Sequence, residues 1–361
     1  MRSTMALALS LAAAAAGCAS TAPAARPHGA SASFSAKNTF TVTPPAGAKS
    51  VKCWFAMPQG DDDQEVSTVA VNAPYDYQVV PDDQGNWFVF IEAKGDDMKP
   101  FEVVQEFDVR RWEIRAKPDA SRTRSLTDAE RKEFAPYLGA NANIPVGGEF
   151  ARVAREATGG ETNPVLASRR LYDWTLKNVD YWVKYPDRLK ASPVGSAEYC
   201  MKEKTGNCTD FHSLWTALAR SSGIPTRMVY GSFFKKDLAG KDADQSYHCW
   251  IEFFAPGIGW VPHDVAIADV FTGDFETNDL NREKVSLTTA DGYSGKDQMK
   301  VDYYFGSIDD RRVVWNRGRD LVLAGASGPV NALPKAYVEA DGKMLKEKEG
   351  WTRKLTFTER K

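Results

Sequence analysis

From Phe34 to Arg115 apolar and polar positions alternate in short runs, the pattern of strands with one face turned inward. The runs "FTVT", "VKCWFAM", "NWFVFIEA" and "FEVVQEFDVRRWEIR" are rich in β-branched and aromatic residues, and Pro, Gly and Asp clusters separate them. Alternation in "VKCWFAM" puts Val51, Cys53, Phe55 and Met57 on one face and Lys52 on the other, so Cys53 reads as a core thiol. Residues 34–116 therefore predict a β-rich, sandwich-like module.

The period then changes to that of helices. In "LTDAERKEFAPYLG" Thr127 and Glu130 have capping-box spacing and Gly139 supplies a stop. In "NPVLASRRLYDWTLKNV" Asn163 is a cap and Pro164 the first helical residue. "GNCTDFHSLWTALARSSGIPTR" predicts a helix from about Cys208 to Ser222. Phe211, Leu214, Trp215 and Leu218 form its stripe, and Gly223 and Pro225 end it. Strands follow in "TRMVYGSFF", "SYHCWIEFF" and "GWVPHDVA", and again in the tail, "VVWNRGRDLVL" and "KLTFTER". A helix backed by a later antiparallel sheet makes the class α+β. The predicted organisation is a helical connector over 117–160, a catalytic domain over 161–325 and a C-terminal β extension over 326–361.

The first residues have their own pattern. One basic residue, Arg2, precedes an apolar run from about Met5 to Ala16 and then Gly17-Cys18, a secretory signal too short to span a membrane. Residues 1–17 are expected to be removed. Small residues before Cys18 resemble the bacterial lipobox, in which that cysteine is acylated; Ala15 stands where the pattern usually has Leu. Residues 18–33, rich in Ala, Pro and Ser, read as a flexible tether. The expected location is the bacterial cell envelope, with a lipid anchor as the membrane contact. A net charge of -2 gives no sign of a nucleic-acid partner, and no Gly-rich phosphate loop or internal repeat occurs.

An exported chain meets oxidising conditions, so its thiols need an explanation. Cys208 falls at a helix start, where partial positive charge and unpaired N–H groups favour thiolate and could stabilise an oxyanion. A thiol there still needs a base and a group to orient that base. In "YHCWIEFF" alternation sets His248, Trp250 and Glu252 on one face and Cys249, Ile251 and Phe253 on the other. "GWVPHD" then brings Asp264 onto a neighbouring strand, beside the imidazole. Cys208, His248 and Asp264 thus form a candidate nucleophile, general base and orienter.

These blocks, together with "FGSIDDRRVVWNRGRDL", resemble the exported bacterial branch of the transglutaminase-like superfamily. The resemblance runs from roughly Pro164 to Leu323 and rests on G-x-C-x-D, G-I-P-x-R, H-x-W-x-E and G-W-x-P-x-D occurring in that order. It implies a papain-like α+β fold with the catalytic triad on Cys208, His248 and Asp264. The reaction expected is acyl transfer on protein or peptide amides through a thioester. Hydrolysis is preferred and glutamine transamidation is the alternative; a non-catalytic envelope binding module is the reading of another class.

Lesser candidates surround the triad. Tyr181 or Trp182 could donate to an oxyanion, Trp250 and Trp260 could wall the cleft, and His212, one turn after Cys208, could hydrogen-bond near the site. Arg227 and Glu252 read as a structural ion pair, and Asp210 as support for the first helical turn. Ligand pairs of the usual zinc spacing are lacking, so no metal or cofactor is expected. With Cys18 acylated and Cys208 free, Cys53, Cys200 and Cys249 remain, enough for one disulfide. Cys200–Cys249 is expected, because Cys249 points away from the cleft face; a Cys200–Cys208 bridge is the rival.

Overall fold

The computed structural model describes residues 26–273, 275–288 and 293–361. The expected signal peptide, the acylation site Cys18 and the first half of the tether lie outside them. At one end two antiparallel sheets face each other. The first runs in the order Ser307–Ile308, Phe101–Arg115, His28–Val42, Trp351–Arg360, with Gln64–Asn72 also paired to Phe101–Arg115. The second runs Lys343–Met344, Ala336–Ala340, Ser50–Ala56, Trp87–Lys94, Tyr77–Pro81. Phe40, Val42, Phe101 and Val103 of one sheet meet Val51, Cys53, Phe55, Val89 and Ile91 of the other in a single apolar layer. Strict alternation makes this possible: in His28–Val42 every second residue from Ala32 onward is buried. Each large side chain so buried contributes about 1.5–3 kcal/mol.

Two expected boundaries shift. The tether was expected to run to residue 33, yet the strand begins at His28. The cause is electrostatic. Arg26 hydrogen-bonds the carboxylates of Asp63 and Glu252, and His28 Nε2 lies 2.9 Å from Asp63 Oδ1. Buried carboxylates need counter-charge, and this segment supplies it. The C-terminal strands are not an appendage either. Ala336–Ala340 pairs with Ser50–Ala56, and Trp351–Arg360 pairs with His28–Val42 along ten residues, so the chain's end completes the N-terminal sandwich.

The other half has a four-stranded antiparallel sheet in the order Gly259–His263, Tyr247–Ala255, Thr226–Phe233, Arg312–Arg317. Against it packs the helix Cys208–Ser221. Cys249, Ile251 and Phe253 of the sheet share one core with Phe211, Leu214 and Trp215 of the helix. Cys208 through Arg220 are all buried, so this helix is central rather than amphipathic at a surface. Several of its polar side chains are satisfied internally: Ser213 Oγ donates to the Gly195 carbonyl at 3.0 Å, and Arg220 donates to Gly139, Asn141 and Thr226, whereas His212 Nε2 and Trp215 Nε1 are buried without a hydrogen-bond partner. The helix Gly148–Thr158, within the expected connector, packs Phe150, Val153 and Ala154 into the same core.

The two halves share apolar contacts. Phe234 stacks on Phe357 at 4.4 Å and meets Phe34 edge-on at 5.1 Å, while Trp315 meets Phe107 at 5.7 Å. Close approach also decides Gly231, opposite His248: a Cβ there would come within 2.7 Å of the Trp250 ring. Among the described residues no helix is long and apolar enough to cross a membrane.

Candidate active site

The start of the central helix is a local construction. Asn207 caps it, accepting from Asp210 N at 3.0 Å, and the Asp210 carboxylate accepts from Asn207 N at 2.9 Å. A Cβ on Gly206 would lie 2.3 Å from Asp210 Cβ, so only glycine lets the aspartate fold back this way. That is the physical content of the G-x-C-x-D spacing. Asp210 also accepts from Ser192 N at 3.0 Å and Ser196 N at 2.7 Å, pinning the 192–196 loop beside the helix start. Cys208 is thereby held at the first helical position, 5% exposed.

His248 stands between this thiol and a carboxylate. Its Nε2 lies 2.7 Å from Asp264 Oδ2, which leaves Nδ1 for another partner, and Cys208 is near enough to raise the imidazole's pKa. Asp264 follows the strand Gly259–His263 and caps the helix Val265–Val270, with Oδ1 accepting from Ile267 N at 3.0 Å. Arg312, fully buried, hydrogen-bonds Asp264 Oδ2 and reaches Asp309 at 2.8 Å through Nε.

The charges follow from these contacts. The hydrogen bond with the Cys249 thiol is the main influence holding Cys208 well below the usual thiol range; burial opposes it, and the His248 charge assists. Burial would lower the His248 pKa, but the charges of Asp264 and Cys208 overcome it and raise the value to about 9. Burial would raise Asp264, yet His248 and Arg312 keep it well below the carboxylate range. Both shifts favour thiolate at Cys208 and imidazolium at His248.

Other groups converge on the same sulfur. Cys249 Sγ donates to Thr209 Oγ1 at 3.5 Å and lies 3.6 Å from His212 Nδ1, while Cys208 Sγ is 3.9 Å from the same Thr209 oxygen. His212 Nε2 lies 3.4 Å from Asp264 Oδ1. The Tyr181 hydroxyl is in hydrogen-bonding reach of Cys208. Its backbone N–H donates to Asp269 Oδ2 at 2.8 Å, and Asp269 pairs with the buried Lys184 at 3.1 Å. Thr209, whose hydroxyl both sulfurs approach, shares a hydroxyl–hydroxyl hydrogen bond of 3.0 Å with Tyr247. A thiol, an imidazole, a carboxylate and a phenol are therefore in one place, the kinds of group that acyl transfer requires.

Comparison with known proteins agrees. The profile described as the transglutaminase-like superfamily matches residues 151–265, a span holding Cys208, His248 and Asp264. The chain carries a transglutaminase-like domain. A protein of Cytophaga hutchinsonii proposed to be a cysteine protease has the same fold, with a TM-score of 0.57 at 15% identity over 91% of each chain. An uncharacterized protein of Haemophilus influenzae is 28% identical over 230 residues, 58% of each chain. This chain thus spans less than two thirds of that relative's length.

Within the transglutaminase-like domain, the expected triad residues come together, with one difference: Asp264 is a helix cap rather than a strand residue. Tyr181 reaches the sulfur, whereas Trp182 begins the next turn and packs half-buried on the core. Trp250 is no cleft wall. It is 1% exposed, over Gly231 and beside the Arg312 guanidinium at 5.6 Å. Trp260 packs on Tyr137 and Phe254, away from the sulfur. His263 is buried with neither ring nitrogen hydrogen-bonded, edge-on to Trp215 at 4.2 Å, and burial keeps it neutral. The expected Cys200–Cys249 disulfide is absent: Cys53, Cys200, Cys208 and Cys249 are all free thiols. The reason is layering, since the central helix covers the strand face that carries Cys249 and brings that thiol to Thr209, next to Cys208. Sequence reading missed Cys249 as a site residue, and it missed Arg312. The only signal for Arg312 was its place in the block "FGSIDDRRVVWNRGRDL".

Proposed function

We propose that this chain is a thiol-dependent enzyme that hydrolyses amide bonds in proteins or peptides. The single observation that supports the reading most is His248, 2.7 Å from Asp264 and close enough to Cys208 that each shifts the other's pKa. Thiolate Cys208 attacks the amide carbon. The developing oxyanion is met by the Tyr181 hydroxyl and the free N–H groups of the helix start. Imidazolium His248 gives its proton to the leaving amine, and a thioester remains on Cys208. His248, now neutral, takes a proton from water as the water attacks the thioester, and the acid leaves. Asp264 holds the imidazole in the tautomer and orientation both steps need.

A sulfur only 5% exposed needs an opening for substrate, which is assigned to parting of the Thr209–Tyr247 hydrogen bond beside it. The work is assigned to the cell envelope, with acylated Cys18 as the anchor, on the strength of the leader-like residues 1–17. The test is digestion of a peptide library by the wild-type chain and by Cys208→Ser, with products identified by mass. New carboxyl termini with the wild type alone are expected. Equal products from both chains, or none from either, would overturn the assignment. Adding a labelled primary amine reads transamidation directly: amide product exceeding acid product would replace hydrolysis as the reaction.

A further inference from the structure

Cys249 takes no bond-making or proton-transfer step in the proposed chemistry, yet its thiol is placed beside the sulfur that does. It is fully buried, and its Sγ donates to Thr209 Oγ1 at 3.5 Å, the same oxygen that Cys208 Sγ approaches at 3.9 Å. Both sulfurs therefore lie against one hydroxyl, and each influences the other's ionisation. A base adjoins the pair, since His212 Nδ1 is 3.6 Å from Cys249 Sγ. The remaining described thiols are elsewhere. Cys53 belongs to the apolar layer inside the sandwich, and Cys200 lies on the helix Ala197–Glu203.

We propose that Cys208 and Cys249 are a redox pair, in which a peroxide drives formation of a Cys208–Cys249 disulfide that reversibly removes the nucleophile. The steps balance. Thiolate Cys208 attacks one peroxide oxygen and the O–O bond breaks. The departing hydroxide takes a proton from imidazolium His248 and leaves as water, so Cys208 becomes a sulfenic acid. Cys249 then gives its proton to His212, and its sulfur attacks the sulfenic sulfur. The S–O bond breaks, hydroxide leaves with the proton held by His212, and a second water is released. Peroxide is reduced to two waters, and two thiols are oxidised to one disulfide. A dithiol reductant reverses the change by exchange.

The arrangement has a physical consequence. A lone low-pKa thiol in an oxidising compartment proceeds through sulfenic to sulfinic acid, which reductants do not restore. A second thiol in contact traps the first oxidation product before that happens. The disulfide itself depends only on the placement of the two sulfurs; its effect on activity rests on the proposed function.

The test uses the intact chain, exposed to a few equivalents of hydrogen peroxide, blocked with N-ethylmaleimide and mapped by mass without reduction. The expected result is a Cys208–Cys249 linked peptide. Iodoacetamide labelling of Cys208 should fall at least about tenfold and return with dithiothreitol. In Cys249→Ser and Cys249→Ala the same dose should leave Cys208 as sulfinic acid that dithiothreitol does not rescue. Wild-type Cys208 found as sulfinic acid with Cys249 still blocked by maleimide would overturn the proposal, and so would linkage of Cys208 to Cys53 or Cys200. The wild-type map decides this even if both variants fold poorly. A linked peptide in a chain that hydrolyses nothing before oxidation supports the pair and removes the proposed function instead.

Discussion

His248 and Glu252 occupy the same face of one strand, four residues apart, and each is buried among charges. Their neighbourhoods differ in one respect. Glu252 is surrounded by Arg26, Arg227 and Arg317; Arg227 Nε donates to it at 2.8 Å, and Arg26 ties it to Asp63. Those arginines cannot release protons, so the cluster can only hold its shape. His248 instead lies between a carboxylate and a thiol, and its proton has somewhere to go. Burial and close ion pairs are thus common to both. What separates a structural cluster from a reactive one is whether a member can change its protonation state at working pH.

The comparison can be broken most severely at the reactive end. Asp264→Asn should lower kcat/KM for peptide hydrolysis by about 100- to 10,000-fold, because the amide cannot hold His248 in the needed tautomer. Steady-state kinetics at matched folded protein checks this. A loss under about threefold would mean that Asp264 serves mainly as a helix cap. At the structural end, Glu252→Gln should cost about 3–5 kcal/mol by denaturant midpoint, since it leaves three arginines facing a neutral group. Its folded fraction should keep the wild-type labelling rate at Cys208.

A pH series sharpens the same contrast. Hydrolysis should fall as pH rises through about 9, where His248 loses the proton it delivers to the leaving amine. Stability moves in the same direction. A histidine raised in the folded state from 6.5 to about 9 stabilises fully below 6.5, and that contribution disappears as pH rises to about 9. Paired urea titrations of wild type and His248→Gln across that window should converge at the alkaline end. The smallest effect concerns the proposed opening. Tyr247→Phe removes one hydrogen bond to Thr209, worth about 0.5–1.5 kcal/mol, so alkylation of Cys208 should quicken by about two- to tenfold. An unchanged rate would place the way in elsewhere.

Much of the site was legible because it is built from local rules. A capping residue, a folded-back aspartate and a glycine that admits it are all contained within Gly206–Asp210. Strand alternation correctly set His248, Trp250 and Glu252 apart from Cys249, Ile251 and Phe253. Alternation says which residues share a face, however, and nothing about what covers that face. Alternation alone therefore sends Cys249 away from the cleft and to a disulfide, whereas the helix that begins at Cys208 packs over it. Arg312 was illegible for a related reason: its bond to Asp264 joins residues 48 apart, and no local pattern marks the pair. Arg26 reaches Glu252 across 226 residues, which turned part of an expected tether into bound structure.

By itself the sequence determined the helix that begins at Cys208, the strands that follow it, the order of the motifs and the three side chains proposed as a triad. These depend on propensity, capping and period, which act over a few residues. Only the tertiary structure decided that the C-terminal strands close the N-terminal sandwich, that Arg312 neutralises Asp264 and that two thiols meet beneath one hydroxyl. Those outcomes come from burial. Once packing removes water, each charge and thiol must find its partner in whatever the fold brings near, at any distance along the chain.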